Sequence, residues 1–284
     1  MNTKKITTAR LKKMKLDQEP ISIITAYDYP SARLAEEAGI DVILVGDSLG
    51  NVVLGYESTL PVTIDDMVYH TKAVTRGAAQ TFVISDMPFL TYHGDIDRAL
   101  RLAGRLMQEG LCKAVKMEGG TEIIPVVQSF VHAGIPVMGH LGFTPQSVYQ
   151  IGGYKVQGKN SEQADKMLKD ALALEAAGAF AILLEMVTAE LADYITHKLQ
   201  IPTIGIGSGN GCDGQVLVFH DVLGYEVEAH PKKFVKKYAD IGQQIKQGIS
   251  QYVSEVKSKT FPNQEQTFHS DQEVISYLYG EKKS

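Results

Sequence analysis

The chain predicts an α/β fold, a single (β/α)8 barrel of the TIM type, on three observations. Short apolar runs alternate with helical patterns along all 284 residues, and eight such runs can be read. Four acids each stand where such a run stops: Asp47 follows ILVG, Asp86 follows FVIS, Glu118 follows AVKM and Glu185 follows AILL. A hydrophobic content of 44% at this length supports one full core, and one barrel is simpler than two ordinary domains.

The elements follow in order. Positions 4–15 hold six Lys or Arg and no acid, the composition of a transit peptide. Leu11 and Met14 argue instead for a short amphipathic helix that closes the barrel floor, capped by Thr7 or Thr8. Continuous apolar runs predict strands over 21–25, 42–45, 82–85, 114–117, 136–139, 181–184, 202–206 and 215–219. Thr63 to Asp66 forms a capping-box-like start for a helix that Arg76 and Gly77 close. Residues 143–160, rich in glycine, are too long for an ordinary connection and predict a lid at the mouth. A helix over 161–177 ends at Gly178 and turns Leu168, Leu172 and Leu174 inward. A last helix is expected over 234–256, with Lys232, Lys233, Lys236 and Lys237 on its solvated face. The barrel with its capping helix thus occupies 1–256, and 257–284 reads as a polar arm or tail. Val274, Ile275, Tyr277 and Leu278 there either pack on a neighbouring subunit or belong to a loosely ordered end.

Bulk properties narrow the class. A net charge of −5 and a pI near 5.9 argue against a nucleic-acid partner. No apolar run is long enough to span a bilayer and no secretory signal is readable, so no membrane partner and a cytoplasmic location are expected. Cys112 and Cys212 have neither metal-ligand nor disulfide spacing and are expected to be inert.

Carboxylates at strand ends converge at one mouth of a barrel, where such folds build their sites. Any one of them could cap the next helix, since helix N-termini attract acids. Asp47, Asp86 and Glu118 on three consecutive strands point instead to a hard cation such as Mg²⁺. Lys116, two residues before Glu118, faces the same interior; it either pairs with Glu118 or Asp86 or clamps a substrate carboxylate or carbonyl. Glu185, with Met186 and an apolar run beside it, is expected to have a raised pKa suited to taking a proton from carbon, or else to cap the helix near Thr188. His140 either hydrogen-bonds a substrate or satisfies a strand-end carbonyl. The glycines from Gly205 to Gly211 evoke a dinucleotide fingerprint, but a strand follows, not a helix, so that reading fails. A phosphate cradle or a close approach of the backbone to a ligand are the remaining readings of this turn.

Taken together, particular strings carry a resemblance: Thr25-Ala-Tyr-Asp28, Gly46-Asp-Ser-Leu-Gly50, Ser58-Thr-Leu-Pro-Val-Thr63, Asp86-Met-Pro-Phe89, Val115-Lys-Met-Glu-Gly-Gly120, Gly139-His-Leu-Gly-Phe-Thr-Pro-Gln-Ser147, Gly152-Gly-Tyr-Lys-Val-Gln-Gly158 and Gly205-Ile-Gly-Ser-Gly-Asn210. In this order, over roughly 7–270, the chain resembles the ketopantoate hydroxymethyltransferase family. The resemblance implies a phosphoenolpyruvate/pyruvate-type barrel in which 5,10-methylenetetrahydrofolate gives a hydroxymethyl group to 3-methyl-2-oxobutanoate, through a Mg²⁺-stabilised enolate. By the same likeness Asp47 and Asp86 ligate Mg²⁺, Glu118 joins directly or through water, Ser48 and Lys116 hold the oxo acid, Glu185 accepts the proton, and the assembly is a homodecamer. Ser208 stands where the family commonly has alanine, Phe143 where it has leucine, and 271–284 extends past the usual end.

Two rivals remain. A carbon–carbon lyase or phosphonomutase of the same barrel type would place a reactive cysteine on the mobile loop, and 149–159 contains none. A catalytically silent oligomeric binding protein would bind the oxo acid without proton exchange, which the intact set of acids argues against.

Overall fold

A computed structural model of the chain describes residues 6–225 and 232–280. Eight parallel strands close into a barrel: β1 (Ile21–Thr25), β2 (Val42–Val45), β3 (Phe82–Asp86), β4 (Ala114–Glu118), β5 (Val137–Gly142), β6 (Ala181–Glu185), β7 (Thr203–Ile206) and β8 (Gly214–Leu217). Each strand pairs with the next and β8 pairs back to β1.

Alternation of side chains divides the core in two. Ile21, Ile23, Val42, Leu44, Phe82, Ile84, Ala114, Met138, Ala181, Leu183, Ile204 and Val216 fill the inside of the cylinder. Their neighbours in sequence, such as Ile43, Val83, Val115, Val137 and Ile182, face outward against the helices. Leu11 and Met14, from the helix Thr8–Leu16, join the inner set and plug the floor; Thr7 caps that helix by accepting from Arg10 N. Lys4 and Lys5, part of the basic stretch, lie outside the described residues.

Several boundaries differ from expectation, each for a physical reason. Asp86, Glu118 and Glu185 are the last residues of their strands, not the first beyond them, so the ladder itself aims all three into the barrel. β5 begins at Val137 and continues through His140 to Gly142; Pro136 and Pro202 lack the N–H that a ladder needs. The eighth strand ends at Leu217, and Phe219 opens a short helix, Phe219–Leu223. Thr63 and Asp66 form the capping box of the helix Ile64–Gly77, as their spacing predicted. In the helix Ser161–Ala176, Met167, Ala171 and Leu174 are buried, whereas Leu172 is exposed. At 100° per residue it lies off the face that 167, 171 and 174 share.

The late helix begins at Ile241 and ends at Ser258, not 234–256. Lys232, Lys233, Lys236 and Lys237 precede it, so they do not share a helical face. The backbone there bonds to the end of the short helix and the turn after it instead: Tyr238 N donates to Val222 O at 2.8 Å and Gly242 N to Gly224 O at 2.9 Å. Beyond it, the helix Gln272–Tyr279 leaves Val274, Ile275, Tyr277 and Leu278 exposed. The expected lid, 143–160, holds two short helical turns, Pro145–Ser147 and Val148–Ile151, and a parallel bridge from Gln157 to Val187. Among the described residues, no helix is long and apolar enough to cross a membrane.

Candidate active site

Strand register brings the predicted acids together at the carboxyl end of the barrel. Asp86 on β3 lies beside Lys116 on β4, and Glu118 lies beside His140 on β5. Lys116 Nζ stands 3.3 Å from Asp86 Oδ2 and 4.0 Å from Glu118 Oε1. Asp47 follows β2, and its backbone N–H donates to Asp86 Oδ2 at 3.0 Å. Asp47, Asp86, Glu118, Lys116 and His140 are all buried. Thus three carboxylates share one ammonium in a low-dielectric site.

The electrostatics follow from that imbalance. Burial, then repulsion from Asp86 and Glu118, pushes Asp47 well above the usual carboxylate range. Burial pushes Glu118 up to about 7, against the opposing pull of Lys116 and the Gln146 N–H. For Lys116, burial favours the neutral amine, but Asp86, Glu118 and Asp47 outweigh it and hold the group above an ordinary lysine.

Gln146 and Tyr92 complete this centre, and sequence reasoning assigned no role to either. Gln146 Nε2 donates to Asp47 Oδ2 at 2.8 Å and to Met87 O at 2.9 Å, and its backbone N–H donates to Glu118 Oε2 at 3.0 Å. Tyr92 donates its hydroxyl to Gln146 Oε1 at 2.7 Å. The only available signal was that Gln146 belongs to the string Gly139 to Ser147.

His140 connects the acid cluster to Glu185. Lys116 Nζ lies 3.1 Å from His140 Nδ1. An ammonium can only donate, so Nδ1 accepts and the ring proton sits on Nε2. Burial, reinforced by Lys116, lowers the His140 pKa and keeps the ring neutral. Its Nε2 points at Glu185 Oε2, 3.4 Å away and too poorly aligned for a hydrogen bond. The Glu185 side chain is 16% exposed, against 3% for Asp86 and Glu118. The dry enclosure expected around Glu185 is therefore found around Glu118, while Glu185 stands at the open rim where the chain turns away through Met186 at φ 48°.

Other predicted positions are placed as follows. Ser48 Oγ lies 2.8 Å from the hydroxyl of Tyr27, a further residue to which sequence reasoning assigned no role. Ser208 is buried, accepting from Val187 N at 3.0 Å and donating to Leu184 O at 2.8 Å, so the departure from alanine bolts the turn after β7 to the backbone flanking Glu185. The glycine-rich turn packs closely on the helix Ala189–Lys198: a Cβ at Gly209 would meet Ala189 Cβ at 2.7 Å. That packing on the helix, rather than contact with a ligand, is what the structure shows for Gly209. Cys112 and Cys212 join no site; burial pushes the Cys112 thiol up to about 12 and raises Cys212 as well.

The donor set suits a hard cation. Asp86 Oδ1 and Glu118 Oε1 are buried without a hydrogen-bond partner, and every carboxylate in the cluster offers oxygen. Among the described residues, no three His, Cys, Asp or Glu side chains are gathered tightly enough to clasp one ion together. Mg²⁺ tolerates that, because it takes one or two carboxylates and retains water.

A closed eight-stranded parallel barrel with acids, lysine and histidine at its carboxyl rim defines the class: a (β/α)8 barrel that carries its site at the carboxyl ends of the strands. Solved structures with this fold include a phosphoenolpyruvate phosphomutase from Streptomyces platensis subsp. rosaceus, 16% identical, with a TM-score of 0.59 and coverage of 97% of this chain and 96% of that one. A 2,3-dimethylmalate lyase, itself a member of the PEP mutase/isocitrate lyase superfamily, gives a TM-score of 0.55 at 15% identity, covering 96% of this chain and 91% of that one. Within the class, the profile of the ketopantoate hydroxymethyltransferase family matches residues 5–264, and the chain belongs to that family. The 3-methyl-2-oxobutanoate hydroxymethyltransferase of Geobacillus sp. (strain WCH70) is 55% identical over 272 residues, which is 96% of this chain and 97% of the relative. The protein is accordingly an enzyme, a hydroxymethyltransferase.

Proposed function

We propose that the enzyme uses 5,10-methylenetetrahydrofolate, 3-methyl-2-oxobutanoate and water to form 2-dehydropantoate and tetrahydrofolate, with Glu185 as the base. The observation that carries this reading is the relay of contacts across the mouth: acids around Lys116, Lys116 on His140, and His140 facing Glu185.

Lys116 is the fixed cation of the site and would hold the carboxylate or keto oxygen of the oxo acid, with Ser48 positioned by Tyr27 on the same rim. Asp47 and Asp86 would hold Mg²⁺, with Glu118 directly or through water; bound there, the ion would supply positive charge to the keto and carboxylate oxygens of the substrate. Glu185, the one carboxylate at the open edge, accepts the C3 proton at Oε2. The neutral His140 turns its Nε2–H toward that carboxylate and leaves it un-neutralised. C3 then forms its new bond to the one-carbon unit, that unit's bonds to the folate nitrogens break, and water supplies the hydroxyl oxygen. The segment 143–160 lies over the Glu185 end of this path and limits access of further water. A cytoplasmic homodecamer is part of the same reading, and the exposed apolar residues of the helices Ile241–Ser258 and Gln272–Tyr279 offer surfaces for assembly.

Solvent-deuterium exchange into 3-methyl-2-oxobutanoate, run without folate, isolates the first step. Glu185→Gln is expected to keep oxo-acid binding and lose exchange; undiminished exchange in the variant removes Glu185 as the base. Mass spectrometry of the complete reaction, read for 2-dehydropantoate, tests the transfer itself.

A further inference from the structure

We propose that the cavity walled by the lid segment seats the glutamyl tail of the folate donor, with Lys155 and Lys159 holding its carboxylates; this rests on the transfer reaction proposed above. The cavity is about 450 Å³ and is lined by Ile151, Lys155, Val156, Gln157, Lys159 and Gln163. That volume falls in the range of small-molecule sites. Its chemistry is two ammonium groups, two amides and two aliphatic side chains.

Charge decides which ligand fits. Lys15, Lys72, Lys116 and Lys166 each stand within ion-pair distance of a carboxylate. Among the described residues Lys155 and Lys159 have no such partner, and Lys155 Nζ donates to the carbonyl of Ile151 at 3.3 Å. Two ammonium groups on one cavity wall match a dianion in charge, and a glutamyl group carries two carboxylates.

The wall is also tied to the reacting end of the site. Gln157 N donates to Met186 O at 2.7 Å and Thr188 N donates to Gln157 O at 3.1 Å, so the cavity wall is paired with the residues directly after Glu185. Phe143 N donates to Glu185 O at 2.8 Å, and the Phe143 ring lies against Tyr154 with centroids 4.8 Å apart. The exposed Tyr154 ring, backed by the buried Phe143, gives the same segment an aromatic surface suited to an aminobenzoyl group. The donor is polar in the matching sense: its one-carbon end is aromatic and its far end anionic. The two lysines attract the anionic end, which turns the one-carbon end toward Glu185.

The test is a titration of the full chain, with and without Lys155→Ala plus Lys159→Ala, using tetrahydrofolate and tetrahydropteroate, which lacks the glutamate. The double variant is expected to bind tetrahydrofolate at least about tenfold more weakly and tetrahydropteroate as the wild type does, because only the former engages the lysines. Binding of 3-methyl-2-oxobutanoate in the same titration checks that the variant is folded. Unchanged tetrahydrofolate affinity, equal weakening of both ligands, or no binding of tetrahydrofolate by the wild type overturns the assignment. Failure of the wild type to form 2-dehydropantoate would sink the transfer reaction while leaving a glutamate-dependent loss of folate binding intact, so the two failures are distinguishable.

Discussion

Replacing Gln146 by leucine removes one side chain that three buried groups use, at nearly constant volume. Asp47 Oδ2 and Met87 O lose their donor, while the Tyr92 hydroxyl keeps its contact with Glu118 O at 3.1 Å. Two groups, not three, are therefore left short. A buried acceptor deprived of its partner costs about 1–3 kcal/mol, and more when charged, so the variant is expected to lose about 2–6 kcal/mol of stability. The same loss removes a hydrogen bond that lowers the Asp47 pKa, driving that carboxyl further toward its neutral form. Urea unfolding followed by circular dichroism measures the effect, as a lower midpoint with an unchanged slope. A change below about 1 kcal/mol would refute the reasoning, because it would mean that water or repacking satisfies Asp47 as well as the amide does.

Glu118 gives a pH prediction. Its folded pKa of about 7 lies above the ordinary 4.5, so its contribution is fully present below pH 4.5 and lost as pH rises through 7. In metal-free buffer, unfolding midpoints across that range should show Glu118→Gln gaining on the wild type with rising pH, by on the order of 3 kcal/mol at most. Ser208→Ala removes both bonds to the backbone flanking Glu185 and is expected to cost about 1–2 kcal/mol in the same unfolding assay. Gly142→Ala places a Cβ 2.2 Å from Glu185 O at a position with φ 97°, so deuterium exchange into the oxo acid should fall at least about tenfold through displacement of the base.

The barrel was readable because a parallel strand buried on both faces leaves an uninterrupted apolar run, and eight of those have one economical closure. Asp86, Glu118 and Glu185 were readable for the same reason, since an acid ending such a run has nowhere to go but the mouth. Gln146 and Tyr92 were not, because their roles come from long-range contacts: Gln146 reaches Asp47 across 99 positions of sequence. The environment of Glu185 was misread because neighbours in sequence do not form its enclosure; the exit of the chain at Met186 decides it. The late lysines were misplaced because a turn near Gly224 competes for the backbone bonds that a longer helix would have used.

The register of β3 to β6 has a consequence for how such an enzyme can change. Asp86 pairs with Lys116, Glu118 with His140, and Glu185 with Gly142, an advance of two positions along β4 and again along β5. Strands in a barrel lean, so this climb holds the reactive groups at one height around the axis. Even steps also keep every one of them pointing inward. Losing or gaining a single residue within β4 or β5 would swing half the set out among the helices. Insertions and deletions are therefore confined to the loops above, and new substrates must be reached by reshaping the rim over an unmoving ring.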